Sequence, residues 1–166
     1  TKASNLTITD NGTITDTITV DSSPSGYLNV IEHVKVTLDF VHPQVGDLIV
    51  KLTSPDGTES IILNRLGKAP DDANDRGHGA ENMSYAFGSW AYMGEIDEGQ
   101  WTLEVTDAAG GSVGTLRSWT LDFVYDSADY YVGQTPPANS TFIFTNEYLT
   151  QTDPSRQILQ DGTTSL

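Results

Sequence analysis

The sequence predicts an all-β protein, a jelly-roll β-sandwich followed by a C-terminal tail. The 3.6-residue periodicity of amphipathic helices is nearly absent, whereas apolar residues recur at every second position in several short segments. Between those segments Gly, Pro, Asp and Ser cluster where turns are expected. Many short strands separated by such turns are typical of two antiparallel sheets packed face to face.

Several segments show the alternation of half-buried strands, with one face in the core and the other in solvent. The clearest is 34–40, in which Val34, Val36, Leu38 and Phe40 alternate with polar residues. Four other segments carry the same pattern, with apolar sets Ile14, Ile18 and Val20; Leu48, Val50 and Leu52; Trp101, Leu103 and Val105; and Trp119, Leu121, Phe123 and Tyr125. We expect these residues to form the core.

The segments between the strands read as turns and loops. The stretch "VHPQVGDLIVKLTSPDGTESIIL" (41–63) predicts two short strands joined by a turn at Ser54–Gly57, because Pro presets φ and Gly accepts a positive φ. Residues 107–114 form a Gly/Ala/Ser loop, and 70–81, "PDDANDRGHGAE", a long polar loop without periodicity.

The composition changes near residue 127. We therefore expect a sandwich domain over 1–126, and over 127–166 a linker or extra strand that leads to a further domain. Pro136-Pro137 marks the linker, and the apolar stretch 142–149 is a candidate strand that docks on the sandwich. Because the sequence starts at Thr1 without a recognisable beginning, we expect it to be an excised module of a longer protein.

The charge and cysteine content narrow the function classes. The chain has 166 residues, enough for one sizeable core, and carries 8 Lys and Arg against 23 Asp and Glu, a formal charge of −15. This excess argues against nucleic acid and anionic membranes and favours divalent cations, basic partners, or solubility in a saline medium. Without cysteine no disulfide is possible, which favours an exported bacterial protein. No apolar run has the length of a membrane helix.

No residue pattern supports catalysis by this chain. A hydrolase triad needs a base, and the candidates are the three histidines His33, His42 and His78. The closest approach to a nucleophile elbow, "FGSWAY", lacks the second glycine of that motif. Carboxylate pairs carry no weight because the chain contains so many acids.

Calcium binding is the stronger chemical hypothesis, since Ca²⁺ prefers several hard oxygen ligands on a flexible loop. The loop "DDANDRG" clusters four such side chains, although Arg76 falls where an EF-hand would place its next ligand. The candidate ligands are Asp47, Asp71, Asp72, Asn74, Asp75, Glu95 and Asp107. The alternative is a solvated acidic loop. Three scattered histidines and no cysteine disfavour zinc.

Exposed aromatic residues near the polar loop suggest a binding surface. Trp90 and Tyr92 are the candidates for contact with a polysaccharide or a protein substrate, with packing in the core as the alternative for Trp90. For Trp101 and Trp119, the alternation predicts core positions.

Three ordered blocks, together spanning about residues 6 to 126, resemble the P domain, or Homo B domain, of kexin/furin-like proprotein convertases. The first block matches through His42, Gly46, Asp47, Leu48, Leu52, Ser54, Pro55, Gly57 and Thr58. The second matches through Gly94, Glu95, Gly99, Trp101, Leu103, Val105 and Asp107, and the third through Gly114, Thr115, Leu116, Trp119 and Leu121. The chain departs from the family at Val45, where Arg is usual before Gly-Asp, and at Met93, where Trp is frequent.

The resemblance implies a galactose-binding-like jelly roll without catalytic residues, lying C-terminal to a subtilisin-like domain that it stabilises and whose calcium and pH dependence it tunes. We therefore expect a secreted, monomeric accessory module, stabilised by Ca²⁺, whose partner is the adjoining serine endopeptidase domain. The alternative is a substrate- or polysaccharide-binding module of a multidomain exoprotein. An independent hydrolase is the third possibility, and the failed search for a triad argues against it.

Overall fold

The computed structural model describes residues 1–21, 27–28, 30–125 and 130–131. Within them lie ten strands and one short 3₁₀ turn, Val45–Asp47. The strands are β1 (Lys2–Ile8), β2 (Thr13–Val20), β3 (Tyr27–Leu28), β4 (Ile31–His42), β5 (Leu48–Thr53), β6 (Glu59–Asn64), β7 (Glu81–Ser89), β8 (Gly99–Asp107), β9 (Gly114–Tyr125) and β10 (Tyr130–Tyr131). None of the described residues forms a helix long and apolar enough to cross a membrane.

Eight of these strands form two antiparallel sheets of four. One sheet has the order β1-β9-β4-β7 and the other β2-β8-β5-β6. The long central strands β4 and β9 pair from Ile31–Tyr125 to Val41–Thr115. This arrangement confirms the all-β sandwich, whereas the jelly-roll assignment stays a prediction.

The core lies between the sheets and is built from the alternating residues that the sequence singles out, with the exception of Tyr125, which is 40% exposed. Val36 and Leu38 of one sheet, and Trp101 and Leu103 of the other, are completely buried. Trp119 is buried as well, so both expected tryptophan anchors are confirmed. Ile14, Ile18, Val20, Leu121 and Phe123 are partly buried against this core.

The turn at Ser54–Gly57 also follows the expectation. It joins β5 to β6, and Gly57 has a φ of 90°, a conformation that side chains disfavour. The Ser54 N–H donates to the Thr58 carbonyl over 2.9 Å, and the Thr58 N–H donates to Ser54 Oγ over 3.1 Å. Among the eight strands of the two large sheets, β1 and β7 are not expected from the alternation, and neither are the short strands β3 and β10.

The two ends of the sandwich differ in the number and kind of loops that they contain. At the Asp47 end, four loops (9–12, 43–47, 65–80 and 108–113) each carry the chain from one sheet to the other. At the Trp90 end lie the β5–β6 turn at 54–58 and the β7–β8 loop at 90–98. The nine residues of β8 separate the two ends by about 27 Å at the rise of an extended strand.

The sandwich falls within the compact unit Thr1–Tyr130. The linker expected over 127–166 lies outside the described residues apart from 130–131, as does the candidate strand at 142–149. The domain boundary at 126 therefore stays a prediction.

Candidate functional site

The Gly46-Asp47 step lies beneath the polar loop, and the loop requires a glycine there. The Gly46 N–H donates to the His78 carbonyl over 2.8 Å, and the Val45 N–H donates to that of Gly79 over 3.1 Å. A Cβ at position 46 would stand 1.8 Å from the Arg76 carbonyl oxygen. Gly46 therefore allows the backbone of the loop to approach β5.

Asp47 is fully buried and is paired with two arginines. Arg76 Nη2 donates to its Oδ2, and Arg65 Nη2 lies 3.5 Å from its Oδ1. Arg76 Nη2 also donates to the Gly110 carbonyl over 3.1 Å, and Arg65 Nε to the Gly46 carbonyl over 3.2 Å. Because both arginines are partly exposed, only the carboxylate loses its hydration. Arg76 replaces it at Oδ2, whereas among the described residues Oδ1 has no hydrogen-bond donor and faces only the Arg65 ion pair. One carboxylate thus joins three loops.

Asp107 forms a second buried pair, with His42. His42 Nε2 lies 3.4 Å from Asp107 Oδ2, and both side chains are inaccessible to solvent. The Ala109 N–H donates to Asp107 Oδ1 over 3.1 Å, and His42 Nδ1 lies 2.8 Å from the Gln44 carbonyl oxygen. Within the described part of the chain neither His42 Nε2 nor Asp107 Oδ2 has a hydrogen-bond partner, so the two groups are close without a hydrogen bond between them and no hydroxyl group is bonded to Nε2. The pair therefore lacks a nucleophile and access to substrate, both of which a triad requires.

The acidic loop uses its carboxylates to shape its own backbone. Asp75 accepts hydrogen bonds from the Ala69 N–H (2.7 Å) and the Gly77 N–H (2.8 Å), and these bonds hold the pKa of Asp75 below its ordinary value. Asp72 Oδ1 accepts from the Asn74 N–H over 2.8 Å. Lys68 Nζ donates to the carbonyls of Asp72 and Asp75 over 2.7 and 2.6 Å. A lysine and backbone amides thus balance part of the negative charge.

The seven expected calcium ligands are not brought together. Asp47, Asp75 and Asp107 are engaged as described, and Asp71 is an exposed loop residue. Glu95 lies at the Trp90 end, where its carbonyl accepts from the Ile31 N–H over 2.9 Å. Over the described residues no group of three or more His, Asp or Glu side chains could hold a metal ion. These residues do not fit a calcium site.

The two expected contact aromatics have different environments. Tyr92 is completely buried: its hydroxyl donates to the Leu52 carbonyl over 2.8 Å, and its ring meets Trp101 edge-on at 5.0 Å. Burial raises the pKa of Tyr92. The expectation of a surface role for Tyr92 is therefore wrong, because its hydroxyl needs the Leu52 partner inside the core. Trp90 is 58% exposed, with its ring centroid 4.6 Å from that of His33.

Sequence reasoning missed the residues that organise the polar sites. Arg76 was noted only as an interruption of the EF-hand spacing, and Arg65 not at all. Asp16 was also missed: it accepts from Lys2, Ser4 and Trp119 Nε1 and so links β2 to the opposite sheet. Burial alone would raise the pKa of Asp16, but these bonds and the Thr17 N–H outweigh it, so that the pKa is lowered. The one signal in the sequence for these ion pairs was Arg76, a basic residue within the acidic loop.

Comparison with known families decides the identity of the fold. The family model described as "Proprotein convertase P-domain" matches residues 31–123, more than half of the chain. The chain belongs to the proprotein convertase P-domain family. The matched range holds His42, Gly46, Asp47 and Asp107, so the polar cluster at the Asp47 end lies within the P domain.

The relatives of this P domain include proteases from bacteria and mammals. A "Calcium-dependent protease" of Trichormus variabilis is 38% identical over 101 residues, which cover 57% of this chain and 14% of the relative. Human "Proprotein convertase subtilisin/kexin type 5" is 36% identical over 110 residues, 60% of this chain and 5% of the relative. "Leupeptin-inactivating enzyme 1" of Streptomyces exfoliatus is 35% identical over 89 residues, 54% of this chain and 18% of the relative. The chain thus spans a small part of each.

Solved structures agree with the sequence relatives. The serine protease of Aeromonas sobria superposes with a TM-score of 0.52 at 26% identity, covering 75% of this chain and 26% of the protease. The complex of that protease with a chaperone gives a TM-score of 0.53 at 27% identity, over 76% of this chain and 26% of the protease.

Proposed function

We propose that this chain is a non-catalytic P domain that stabilises and modulates an adjoining subtilisin-like serine endopeptidase in a secreted protein. Family membership and the names of the protease relatives support the role. The observation that carries the proposal is the burial of His42, Asp47 and Asp107, whose side chains are closed to solvent and bound to other parts of the fold. Groups in that state hold a scaffold together and do not meet a substrate.

The stabilisation would work through linkage. A domain that binds only the folded form of its neighbour shifts the folding equilibrium by mass action. Covalent attachment raises the effective concentration of the two domains to roughly the millimolar range when the linker is short. A rigid P domain performs best in this role, because no binding free energy is spent on ordering its loops.

The test uses the parent protease with and without residues 1–126. We expect the deletion to shorten the thermal inactivation half-life, while kcat/KM for a short peptide substrate, measured before inactivation, stays unchanged. Within the intact parent, Asp47→Ala loosens the Asp47 end, and Val113→Ala, at a residue that is 56% exposed, serves as the matched control. An unchanged half-life in the deletion would refute the stabilising role.

We propose calcium dependence for the whole parent protease and not for this domain by itself. The name of the Trichormus relative, "Calcium-dependent protease", supports it. Among the described residues no group of three or more His, Asp or Glu side chains forms a metal site. We therefore expect the melting temperature of the isolated chain to be the same in EDTA and in excess Ca²⁺. A clear increase of the melting temperature on addition of Ca²⁺ would contradict this expectation. If that increase persisted in Asp75→Asn but disappeared in another carboxylate variant, the second carboxylate would belong to a calcium site that these contacts do not indicate.

A second candidate function is substrate contact through Trp90. Its 58% exposure favours it, because a large aromatic side chain left in solvent often marks an interface. The isolated chain would be tested for retention on insoluble polysaccharides and on collagen. Loss of retention in Trp90→Ala, but not in Met93→Ala at the neighbouring 61% exposed position, would support the contact. Equal retention of all three proteins would exclude Trp90 from binding.

A further inference from the structure

The two sheets end in four edge strands, β1 and β7 in one sheet and β2 and β6 in the other. An edge strand presents unpaired backbone N–H and C=O groups that can pair with a strand of another chain. Proteins usually block such edges with bulges, charged side chains, proline or contacts from neighbouring elements. The four edges of this protein can therefore be compared by the protection that each receives.

Three of the edges are protected. The pairing of β1 shifts between Ala3 and Leu6, which interrupts a regular ladder. Asp16 of β2 binds Lys2 and Ser4 of β1, so these two edges hold each other. The pairing of β6 shifts between Val50 and Lys51 of its partner strand.

The β7 edge has no register shift, and its one charged residue is Glu81 at its start. Its nine residues pair with β4 continuously, from Glu81–His42 to Ser89–Val34, without a register shift. The sequence of β7, ENMSYAFGS, contains no Lys, Arg or Pro. Among the residues that the structure describes, no strand pairs with its outer side. A hydrogen bond of 2.9 Å between Ser60 Oγ and Ser89 Oγ joins β7 to β6 at the Trp90 end alone.

The side chains of β7 provide apolar surface for an added strand. Met83, Tyr85 and Phe87 lie opposite the core residues Phe40, Leu38 and Val36 and so share their face. Met83 and Phe87 are partly buried, whereas Tyr85 is 59% exposed. The Tyr85 and Phe87 rings are 5.1 Å apart. A strand added beside β7 would cover Tyr85 and complete the row.

The charges indicate the chemistry of the occupant. Every Lys and Arg in the described part of the chain already has an oxygen partner: Lys2, Lys35, Lys51, Arg65, Lys68, Arg76 and Arg117. The 23 acidic residues of the chain exceed its 8 basic residues, so the remaining surface is anionic. Such a surface attracts cationic partners and accelerates their association.

We propose that the outer edge of β7 binds an extended, basic segment of a partner protein as an additional β-strand. The backbone groups of residues 81–89 pair with the incoming strand, and every second side chain of that strand is apolar and packs on Tyr85 and Phe87. Its intervening Lys or Arg residues are favoured by the negative net charge of the chain. The proposal does not depend on whether the neighbouring domain is a protease.

Hydrogen exchange of the complete 166-residue chain tests the proposal. The probe is a nine-residue peptide of alternating valine and lysine, matched in length to β7, and the control peptide carries proline in place of its central valine. We expect the valine–lysine peptide, but not the proline peptide, to slow the exchange of every second amide within 81–89. Raising the salt concentration should weaken binding.

Tyr85→Lys places a charge on the inner face of the edge, a device that blocks strand addition. Val113→Lys adds the same charge at a loop residue that is 56% exposed. Relative to Val113→Lys, Tyr85→Lys should raise the Kd of the peptide by about tenfold. If urea denaturation shows that Tyr85→Lys does not fold, Tyr85→Ser replaces it.

Four results would overturn the proposal. Unchanged exchange in 81–89, or equal binding of the proline peptide, would exclude strand addition. If both lysine variants weakened peptide binding equally, the loss of affinity would come from overall charge and not from the β7 edge. Slow exchange of the same amides in the free chain would show that another segment of this chain already occupies the edge.

Discussion

The Asp47 end and the Trp90 end of the sandwich hold different sets of loops and stabilise them by different means. At the Asp47 end the loops are joined through buried ionic and polar pairs, Asp47 with two arginines and Asp107 with His42. At the Trp90 end aromatic packing dominates, with Tyr92 against Trp101 and Trp101 against Phe123. The difference follows from topology: four loops that cross between sheets at the Asp47 end bring much polar backbone together, and charged groups can satisfy it.

The two ends also differ in the solvent exposure of the side chains that could take part in chemistry or binding. The chemically versatile side chains of the Asp47 end, His42, Asp47 and Asp107, are buried and engaged. The Trp90 end leaves Trp90 and Met93 in solvent. We infer that the first end maintains the shape of the domain and that contacts with other molecules fall elsewhere on the surface.

The largest expected effect is at Gly46. Gly46→Ala places a Cβ 1.8 Å from the Arg76 carbonyl oxygen, and because that atom belongs to the backbone, the whole polar loop must move. We expect the free energy of unfolding to fall by about 3 kcal/mol. Urea denaturation measures it, and Gly79→Ala in the same loop is the control, since a Cβ there meets nothing within 4 Å. Equal stability of the two variants would show that the loop does not depend on close approach at Gly46.

Asp47→Asn tests the ionic network directly. The variant keeps the shape of the side chain but leaves Arg65 and Arg76 beside a neutral amide. Because both arginines are partly exposed, we expect less than the full cost of breaking a buried pair, about 2 kcal/mol of unfolding free energy. Asp71→Asn, at an exposed position of the polar loop, should change stability by less than about 0.5 kcal/mol. A loss below that limit in Asp47→Asn would remove the distinction between the two ends.

The strands could be predicted from the sequence to the extent that local periodicity records burial. The alternation of Trp101, Leu103 and Val105 identified β8, and the Pro-Asp-Gly turn placed β5 and β6. Strand β7 was missed although Met83, Tyr85 and Phe87 alternate, because two of the residues that alternate with them, Ala86 and Gly88, are small and not polar, which weakens the period-2 signal. Strand β1 was missed because two of its inward positions, Lys2 and Ser4, are polar and bind Asp16, so that the apolar alternation does not begin before Leu6.

The polar sites were harder to predict because their partners are distant in sequence. Asp47 and Arg76 are 29 residues apart, and Asp16 and Trp119 are 103 apart. A cluster of acids within five residues suggests a metal ion. The cationic groups beside Asp47 are instead the side chains of Arg65 and Arg76, which the fold brings close to it. Tyr92 shows the same limit, since nothing local distinguishes it from the exposed Trp90.

Tyr92→Phe sharpens the comparison at the Trp90 end. Removing the hydroxyl leaves the buried Leu52 carbonyl without this donor, and we expect a loss of about 1.5 kcal/mol in unfolding free energy. Tyr85→Phe makes the same chemical change at a side chain that is 59% exposed and should be nearly neutral. Urea denaturation of both variants would measure the difference. Identical curves would mean that the Tyr92 hydroxyl bond adds nothing to the packing of its ring.

The smallest expected effect is the acid sensitivity that Asp75 gives to the Asp47 end. The N–H groups of Ala69 and Gly77 hold its pKa below the ordinary value of 3.8, so the folded protein binds this proton less readily than the unfolded chain does. Asp75 therefore stabilises the fold fully above pH 3.8, and this contribution is lost as the pH falls through the lower folded pKa. Urea midpoints measured from about pH 5 to about pH 2.5 should fall less steeply for Asp75→Asn than for the wild type. Asp71→Asn should follow the wild-type slope. If Asp75→Asn followed it too, the two backbone bonds would not favour the ionised carboxylate, and the acid response of this end would have to come from other groups.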